Sequence, residues 1–154
     1  MQSNSKKIAM SAMVLAIYVV LMYFSQSFVF GPYQVRIATS LYALAYLHPY
    51  LVLPLGLANG LSNLLLGGLG PFDTFGGLAV GLLTAGCAAW MARRGLRPEW
   101  LALPVLLGPG LLVPIWLSYI FAIPYPALAA SLCIGQIAPA IFGVLLVKYL
   151  KGKI

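Results

Sequence analysis

The stretch FVFGPYQVRIATSLYALAYLHPY, residues 28–50, raises two questions about the fold: where the apolar helices break, and why one arginine lies between the breaks. It is apolar apart from Arg36, which is the only formally charged residue between Lys7 and Asp73. Proline follows Gly31 and again follows His48, and proline disfavours helix at the residue before it. The stretch therefore predicts two breaks between apolar helices, with one arginine retained between those breaks.

The composition indicates the class of protein. The chain has 154 residues, of which 62% are hydrophobic and 7% are charged, and its mean hydropathy is +1.00. Because soluble domains carry about 25% charged residues, this chain lacks the groups to cover a water-facing surface. We expect an integral membrane protein in which residues 1–154 form a single domain.

The net charge of +7 comes from three basic clusters rather than from one continuous patch. The clusters lie at the ends of apolar runs, which is the positive-inside pattern of a multi-pass protein and argues against nucleic-acid binding. They consist of Lys6 and Lys7; of Arg93, Arg94 and Arg97; and of Lys148, Lys151 and Lys153.

The apolar pattern predicts an all-α bundle of six transmembrane helices. Residues 37–66 are too long for one span of about 20 residues, so we divide them at His48-Pro49, although a single segment kinked at Pro49 is the alternative. Prolines 104, 109 and 114 predict interruptions in the fifth helix. The predicted helices cover residues 8–30, 37–47, 50–66, 72–91, 100–122 and 127–149.

The basic clusters also predict the topology. An even number of spans before each later cluster places all three clusters, and both termini, on the cytoplasmic side. Arg36 and Asp73 then lie together at the outer ends of helices. Since charge close to the hydrocarbon is costly, Arg36 is an interfacial anchor, a structural partner of Asp73, or part of a solute site.

Further polar side chains favour a solute site near Arg36. Asn59 and Asn63 are four residues apart and so share one helix face. Gln34 and Thr39 flank the arginine. These residues are candidate ligands for a flat polar solute, while hydrogen bonding between helices is the alternative role for the asparagines.

The remaining motifs bear on catalysis and on partners. The sequence contains no catalytic motif, no paired carboxylates and no cluster of metal ligands, so we expect neither an enzyme nor a bound cofactor. It also contains no phosphate-binding loop, so ATP-driven transport needs other subunits. Small residues four apart, such as Ala12 and Ala16, allow helices to approach closely, either inside the bundle or against a partner.

The segment from Gly31 to Gly81 resembles the QueT family, the queuosine-precursor substrate-binding subunits (S-components) of energy-coupling-factor transporters. The resemblance rests on an FGPxQxR segment that ends at Arg36, a proline- and glycine-rich third helix, and an N-L-L…D order. Those last residues are Asn63, Leu64, Leu65 and Asp73.

The resemblance implies a six-helix subunit in the cytoplasmic membrane of a prokaryote, with a 7-deazaguanine or related precursor bound at its outer side. It also implies docking through Ala12 and Ala16 onto an energy-coupling module, which comprises a membrane coupling subunit and two ATPase subunits. Thr39 occupies a position where this family often has glutamate, which leaves the solute open. An S-component for another vitamin-like solute, a membrane scaffold and an independent channel or carrier remain alternatives.

Overall fold

The structure is a computed structural model that describes residues 3–29, 33–67 and 69–153. Phe30, Gly31 and Pro32, which open the FGPxQxR segment and include the predicted end of the first helix, lie outside the described residues. The α-helices are α1 (Asn4–Phe24), α2 (Gln26–Val29), α3 (Val52–Ser62), α4 (Pro71–Arg93), α5 (Ala102–Phe121) and α6 (Tyr125–Leu150). Three 3₁₀ helices (Ile37–Tyr46, Pro49–Leu51 and Pro98–Leu101) and a π-helical turn (Asn63–Gly67) complete the described secondary structure.

Within these described ranges the chain is all helical, as the sequence predicts for a membrane protein. Five helical segments are long and apolar enough to cross a bilayer. The segment Ile37–Tyr46 is also apolar but is only 10 residues long. The membrane-length segments are Asn4–Phe24, Pro49–Gly67, Pro71–Arg93, Pro98–Phe121 and Tyr125–Leu150.

The segment Ile37–Tyr46, hereafter the buried 3₁₀ helix, lies in the interior of the bundle. It packs against α1, α4 and α6, and its residues from Ala38 to Ala45 are all buried. A 3₁₀ helix longer than three or four residues is uncommon and often marks a functional site. The sequence predicts a helix at this position, but its apolar pattern does not distinguish the 3₁₀ from the α form.

Glycines bring α3 and α4 into close contact. A Cβ atom at Gly81 would lie 2.9 Å from the Cα of Gly56, and one at Gly60 would lie 3.3 Å from the Thr74 carbonyl oxygen. Small residues at such contacts allow two helix backbones to approach each other closely. The paired glycines of these two helices therefore serve internal packing.

The predicted interruptions of the fifth helix are wrong. The α5 helix runs without a break from Ala102 to Phe121, with Pro109 and Pro114 in its interior. Pro104 lies in its first turn, where the missing N–H costs no intrahelical bond. Proline is tolerated inside membrane helices because neighbouring groups and local adjustments satisfy the freed carbonyls.

One end of the bundle, hereafter the basic end, gathers the N-terminal lysines, the arginines after α4 and the C-terminal lysines. Lys148 forms an ion pair with Glu99 at 2.6 Å. The Tyr46 hydroxyl donates to the Leu96 carbonyl oxygen at 2.6 Å, which ties the end of the buried 3₁₀ helix to the turn after α4. His48 lies in the turn that follows, at the same end.

Candidate functional site

Arg36 lies inside the bundle at the start of the buried 3₁₀ helix. Its side chain is only 3% exposed, and Nη1 donates to Oδ1 of Asn63 at 3.2 Å. Because a buried guanidinium is stable only with hydrogen-bond partners, this contact is part of what holds it there. Arg36 is therefore an interior residue and not an anchor exposed at the membrane surface.

Asn63 joins three elements of the bundle and has a fixed orientation. Its Nδ2 donates to the backbone carbonyl oxygen of Asp73 at 2.9 Å, while its Oδ1 accepts from Arg36. A carbonyl oxygen can only accept and a guanidinium can only donate, so the two contacts together determine which atom of the amide faces which partner. Asn63 also opens the π-helical turn after α3, and π turns of this kind are frequent at functional sites.

Asp73 is buried in the first turn of α4, with 1% of its surface exposed. Its Oδ1 accepts from Nε1 of Trp116 at 3.3 Å. Its Oδ2 is buried and has no hydrogen-bond partner among the described residues. The amide groups at a helix N-terminus favour a negative charge, but they leave this second oxygen without a donor.

Asn59 presents a second acceptor of the same kind. Its Nδ2 donates to the Gly77 carbonyl oxygen at 2.7 Å, whereas its Oδ1 is buried without a partner among the described residues. Gly77 lies one turn after Asp73, and a Cβ atom there would contact Nδ2 of Asn63 and lie 3.2 Å from Oδ1 of Asn59. The space beside these asparagines therefore depends on the absence of a side chain at Gly77.

Gln34 and Thr39 attach the segment around Arg36 to α6. The Thr39 hydroxyl lies 2.7 Å from both the Arg36 carbonyl oxygen and Oε1 of Gln136, so its single hydrogen is shared between two acceptors. Nε2 of Gln136 donates to the Gln34 carbonyl oxygen at 3.3 Å. Gln34 therefore takes part in this contact through its backbone carbonyl. Its backbone φ of 45° lies in the left-handed region.

A glycine of α6 accommodates the same segment. A Cβ atom at Gly135 would collide with the backbone carbonyl oxygen of Tyr33, so the chain entering the site rests directly on the helix backbone. Tyr33 itself is 55% exposed, whereas Gln34 is 7% exposed. The segment therefore descends from the surface into the interior within two residues.

The structure brings the predicted solute residues into two linked groups. In the first group, Asn63 bonds to the Arg36 side chain and to the Asp73 backbone. In the second, Gln34 and Thr39 bond to Gln136 of α6, and Thr39 also bonds to the Arg36 backbone. Asn59 adjoins the first group at Gly77. The predicted docking pair, Ala12 and Ala16, is separate from both groups, because both alanines are exposed on α1, whose buried positions are Val14, Tyr18 and Met22.

Four residues of this region are not among the candidate ligands chosen from the sequence. Gln136 and Trp116 hydrogen-bond directly to site residues, and Tyr18 and Tyr42 form a buried hydroxyl pair beside Asn59. Gln136 is the only polar amide of α6, which is a usable signal. The three aromatic residues give no such signal, because interfacial tyrosine and tryptophan are common in membrane proteins.

Other polar groups do not belong to the site. Thr84 has a buried Oγ1 without a partner among the described residues, but it lies about three turns further along α4, and its hydroxyl can rotate toward its own helix backbone. No group of three or more metal-binding side chains occurs in the described part of the chain. The candidate site is therefore described by the two unpartnered acceptor oxygens, Oδ2 of Asp73 and Oδ1 of Asn59.

A comparison with protein families decides the identity of the chain. The family model described as QueT transporter matches residues 8–152. The chain belongs to the QueT transporter family. No curated protein and no solved structure matches it. The resemblance based on the segment from Gly31 to Gly81 is confirmed, and membership extends over nearly the whole chain. The apolar helices are thus those of a multi-pass membrane transporter protein of the QueT family.

Proposed function

We propose that this QueT-family chain is the S-component of an energy-coupling-factor importer, and that it captures a queuosine precursor or related 7-deazaguanine from the extracytoplasmic side. The observation that supports this most is the pair of buried, unpartnered acceptors within the described residues, Oδ2 of Asp73 and Oδ1 of Asn59. Leaving a buried acceptor unsatisfied costs about 1–3 kcal/mol. A solute that donates to both oxygens recovers that cost on binding.

The chemistry of a 7-deazaguanine fits these acceptors. Its pyrimidinone edge carries a ring N–H beside an exocyclic amine, and a carboxylate accepting such donors makes a strong, charge-assisted contact. Its carbonyl oxygen needs a donor, and the Arg36 guanidinium lies in the same region of the interior. Asn63, Gln34 and Thr39 hold Arg36 and its segment in position.

A cleft between the end of α3 and the start of α4 adjoins the candidate site. Its volume is about 520 Å³, which exceeds the size of a nucleobase. Asn63 forms part of its lining, so the cleft adjoins the group around Arg36. The other lining residues are Leu64, Gly70, Pro71, Thr74 and Phe75.

We propose six membrane crossings with both termini in the cytoplasm, and the second crossing is unusual. The buried 3₁₀ helix rises about 2.0 Å per residue. Its ten residues and the four non-helical residues 33–36 together span up to about 33 Å, against a hydrocarbon thickness of about 30 Å. Non-helical backbone at membrane depth is tolerated when protein encloses it, and Gln34 and Arg36 are buried.

The proposed partner is an energy-coupling module with one membrane coupling subunit and two ATPase subunits. Ala12 and Ala16 form an exposed small-residue face on α1, to which a helix of the coupling subunit can dock. We propose that this assembly lies in the cytoplasmic membrane of a prokaryote, with its ATPases beside the basic end.

A thermal-shift and calorimetry screen of the detergent-purified protein tests the proposed function. The panel contains 7-deazaguanine, guanine and common vitamins, with the Asp73→Asn variant as the matched control. A ligand at a hundredfold excess over its Kd stabilises the folded state by about 2.7 kcal/mol. Stabilisation by 7-deazaguanine in the wild type and not in the variant is expected. Stabilisation by a different vitamin would change the proposed solute, and a protein that binds nothing in the panel would contradict the proposal.

A further inference from the structure

One tryptophan of α5 lies against the first turns of α4, beside the candidate site. Nε1 of Trp116 donates to Oδ1 of Asp73 at 3.3 Å. A Cβ atom at Gly76 would lie 2.8 Å from carbon atoms of the same indole, so the ring rests directly on the α4 backbone. The ring also packs against a buried apolar cluster that includes Val80 and Leu117. These contacts hold the indole in place with its N–H group directed at the carboxylate.

Among the described residues, this is the only hydrogen bond to the Asp73 carboxylate, because Oδ2 is buried without a partner there. The terminal torsion of an aspartate is broad, so a carboxylate without a fixed donor can rotate and exchange its two oxygens. An indole N–H can only donate and an ionised carboxylate can only accept, so the bond holds one oxygen towards α5. The other oxygen is then the one left for an occupant of the interior.

The clefts on the two sides of the α4 start differ in their lining. The cleft towards α3 is lined in part by Asn63 and Thr74. A second cleft of about 460 Å³ lies between α4 and α5 and is lined by Pro71, Phe72, Phe75, Gly76 and Trp116. Asp73 does not line this second cleft, although its neighbours along α4 do. The indole therefore covers the carboxylate on the α5 side, and the polar groups lie on the side of α3.

We propose that Trp116 is a positioning residue, whose N–H holds Oδ1 of Asp73 so that Oδ2 is the oxygen presented to the solute. Gly76 supports this role, because only a residue without a side chain lets the indole lie against α4. The inference rests on the proposed function, since it concerns the same carboxylate. Trp116 does not need to touch the solute, because it acts through Asp73.

This arrangement predicts that occupancy of the site changes the bond made by the indole. The two oxygens of a carboxylate share one negative charge, and a hydrogen bond to an ionised acceptor is about twice as strong as one to a neutral acceptor. A solute that donates to Oδ2 draws charge away from Oδ1 and weakens the bond from Trp116. A ring that served for packing alone would show no such change.

Calorimetric Kd values for 7-deazaguanine measure the positioning effect. The variants are Trp116→Phe, which removes the N–H, and Gly76→Ala, which displaces the ring from the α4 backbone. The matched controls are Trp100→Phe, at an indole 53% exposed at the basic end, and Gly86→Ala, which meets nothing within 4 Å. Each of the two variants is expected to weaken binding by about tenfold, the value of one hydrogen bond. Both controls are expected to keep the wild-type Kd.

Ultraviolet resonance Raman spectra report the strength of the indole hydrogen bond. The double variant Trp90→Phe/Trp100→Phe leaves Trp116 as the only tryptophan of the chain. Saturating 7-deazaguanine is expected to shift the N–H-sensitive indole band of this protein toward a weaker hydrogen bond. When Asp73→Asn is added to the double variant, the band is expected to show the weaker bond from the start and to stay unchanged on addition of 7-deazaguanine.

Two results would overturn this inference while leaving the proposed function intact. The first is a Trp116→Phe variant that binds 7-deazaguanine with wild-type affinity. The second is an indole band that saturating 7-deazaguanine does not move, which indicates that the ring serves for packing only. If Trp116→Phe does not fold, the Kd of Gly76→Ala and the indole band decide the question by the same criteria. A wild-type protein that does not bind 7-deazaguanine contradicts the proposed function itself.

Discussion

At the basic end of the bundle, two tyrosine hydroxyls are bonded to groups of the protein. Tyr46 donates to the Leu96 carbonyl at 2.6 Å, and Tyr50 donates to Sδ of Met10 at 3.0 Å. In the interior around Arg36, the polar groups also bond to one another, yet Asp73 and Asn59 each keep one buried oxygen without a donor among the described residues. Among the described residues, the basic end leaves Nε2 of His48 buried without a partner, whereas the interior around Arg36 keeps two such acceptor oxygens on the neighbouring helices α3 and α4, to which we propose a solute donates.

The comparison predicts its largest effect at Asp73. Asp73→Ala removes both carboxylate oxygens, so we expect at least about a hundredfold loss of affinity for the solute. The unliganded protein should remain folded with a modest loss of stability, because removal of the unpartnered Oδ2 offsets part of the lost hydrogen bond from Trp116. Calorimetry and thermal unfolding of the empty protein measure the two quantities. A large fall in the melting temperature with little change in affinity would contradict the comparison.

Arg36→Ala should weaken binding by about tenfold to a hundredfold, because it removes the charged donor beside the acceptors. The bundle should remain folded, with a modest loss of stability from the unpaired Oδ1 of Asn63. Arg36→Lys serves as the control that keeps the charge but loses the planar fork. Normal binding by Arg36→Ala would show that the arginine has a structural role only.

Two glycines of α4 test whether the space beside Asn63 belongs to the binding site. Gly77→Ala places a methyl group against Nδ2 of Asn63, so affinity should fall by about tenfold. Gly86→Ala on the same helix meets nothing within 4 Å. It should leave affinity unchanged and raise the free energy of unfolding by up to about 1 kcal/mol through helix propensity. Equal binding by the two variants would rule out the space beside Gly77 as part of the site.

Tyr46→Phe tests whether a hydrogen bond at the basic end affects stability but not solute binding. It leaves the Leu96 carbonyl without its donor, and the free energy of unfolding should fall by about 1 kcal/mol. The Kd for the solute should not change, since Tyr46 lies at the opposite end of the buried 3₁₀ helix from Arg36. Denaturant or thermal unfolding beside calorimetry tests both statements, and a change in Kd without a change in stability would contradict them.

The smallest expected effect concerns His48 in the turn before α3. Partial burial lowers its pKa below the usual 6.5, so the folded state disfavours the protonated ring. Stability from the neutral ring is present above about pH 6.5 and is lost as the pH falls through the lower folded-state pKa. The melting temperature of the wild type should therefore drop more than that of His48→Gln between about pH 7.5 and about pH 5, a range that spans the ordinary pKa of histidine. Parallel curves for the two proteins would refute this assignment.

Composition was a good guide to which polar residues lie buried in the bundle. In a chain with so few polar side chains, each buried one stands out, and Arg36, Asn63 and Asp73 could be chosen from the sequence for that reason. The breaks at His48-Pro49 and near Gly70-Pro71 could also be placed, since proline and glycine restrict the backbone locally. These inferences depend on residue type and on near neighbours along the chain.

The remaining features depend on contacts between distant residues. Thr39 meets Gln136 across 97 positions of sequence, and no local pattern records that pairing. The orientation of the Asn59 amide depends on a carbonyl of another helix, and the continuity of α5 through its prolines depends on its neighbours. The 3₁₀ form of residues 37–46 likewise arises within the packed interior, where tertiary context overrides intrinsic propensity.

The contact between Gly135 and the Tyr33 carbonyl has a consequence for which substitutions the chain tolerates. Every amino acid supplies a backbone carbonyl, so the identity of residue 33 is not restricted by this contact. Only glycine leaves the space that the carbonyl occupies, since a Cβ atom there would collide with it. Sequence variation should therefore be permitted at residue 33 and prohibited at the α6 position beneath it. The constraint falls on a residue 102 positions further along the chain.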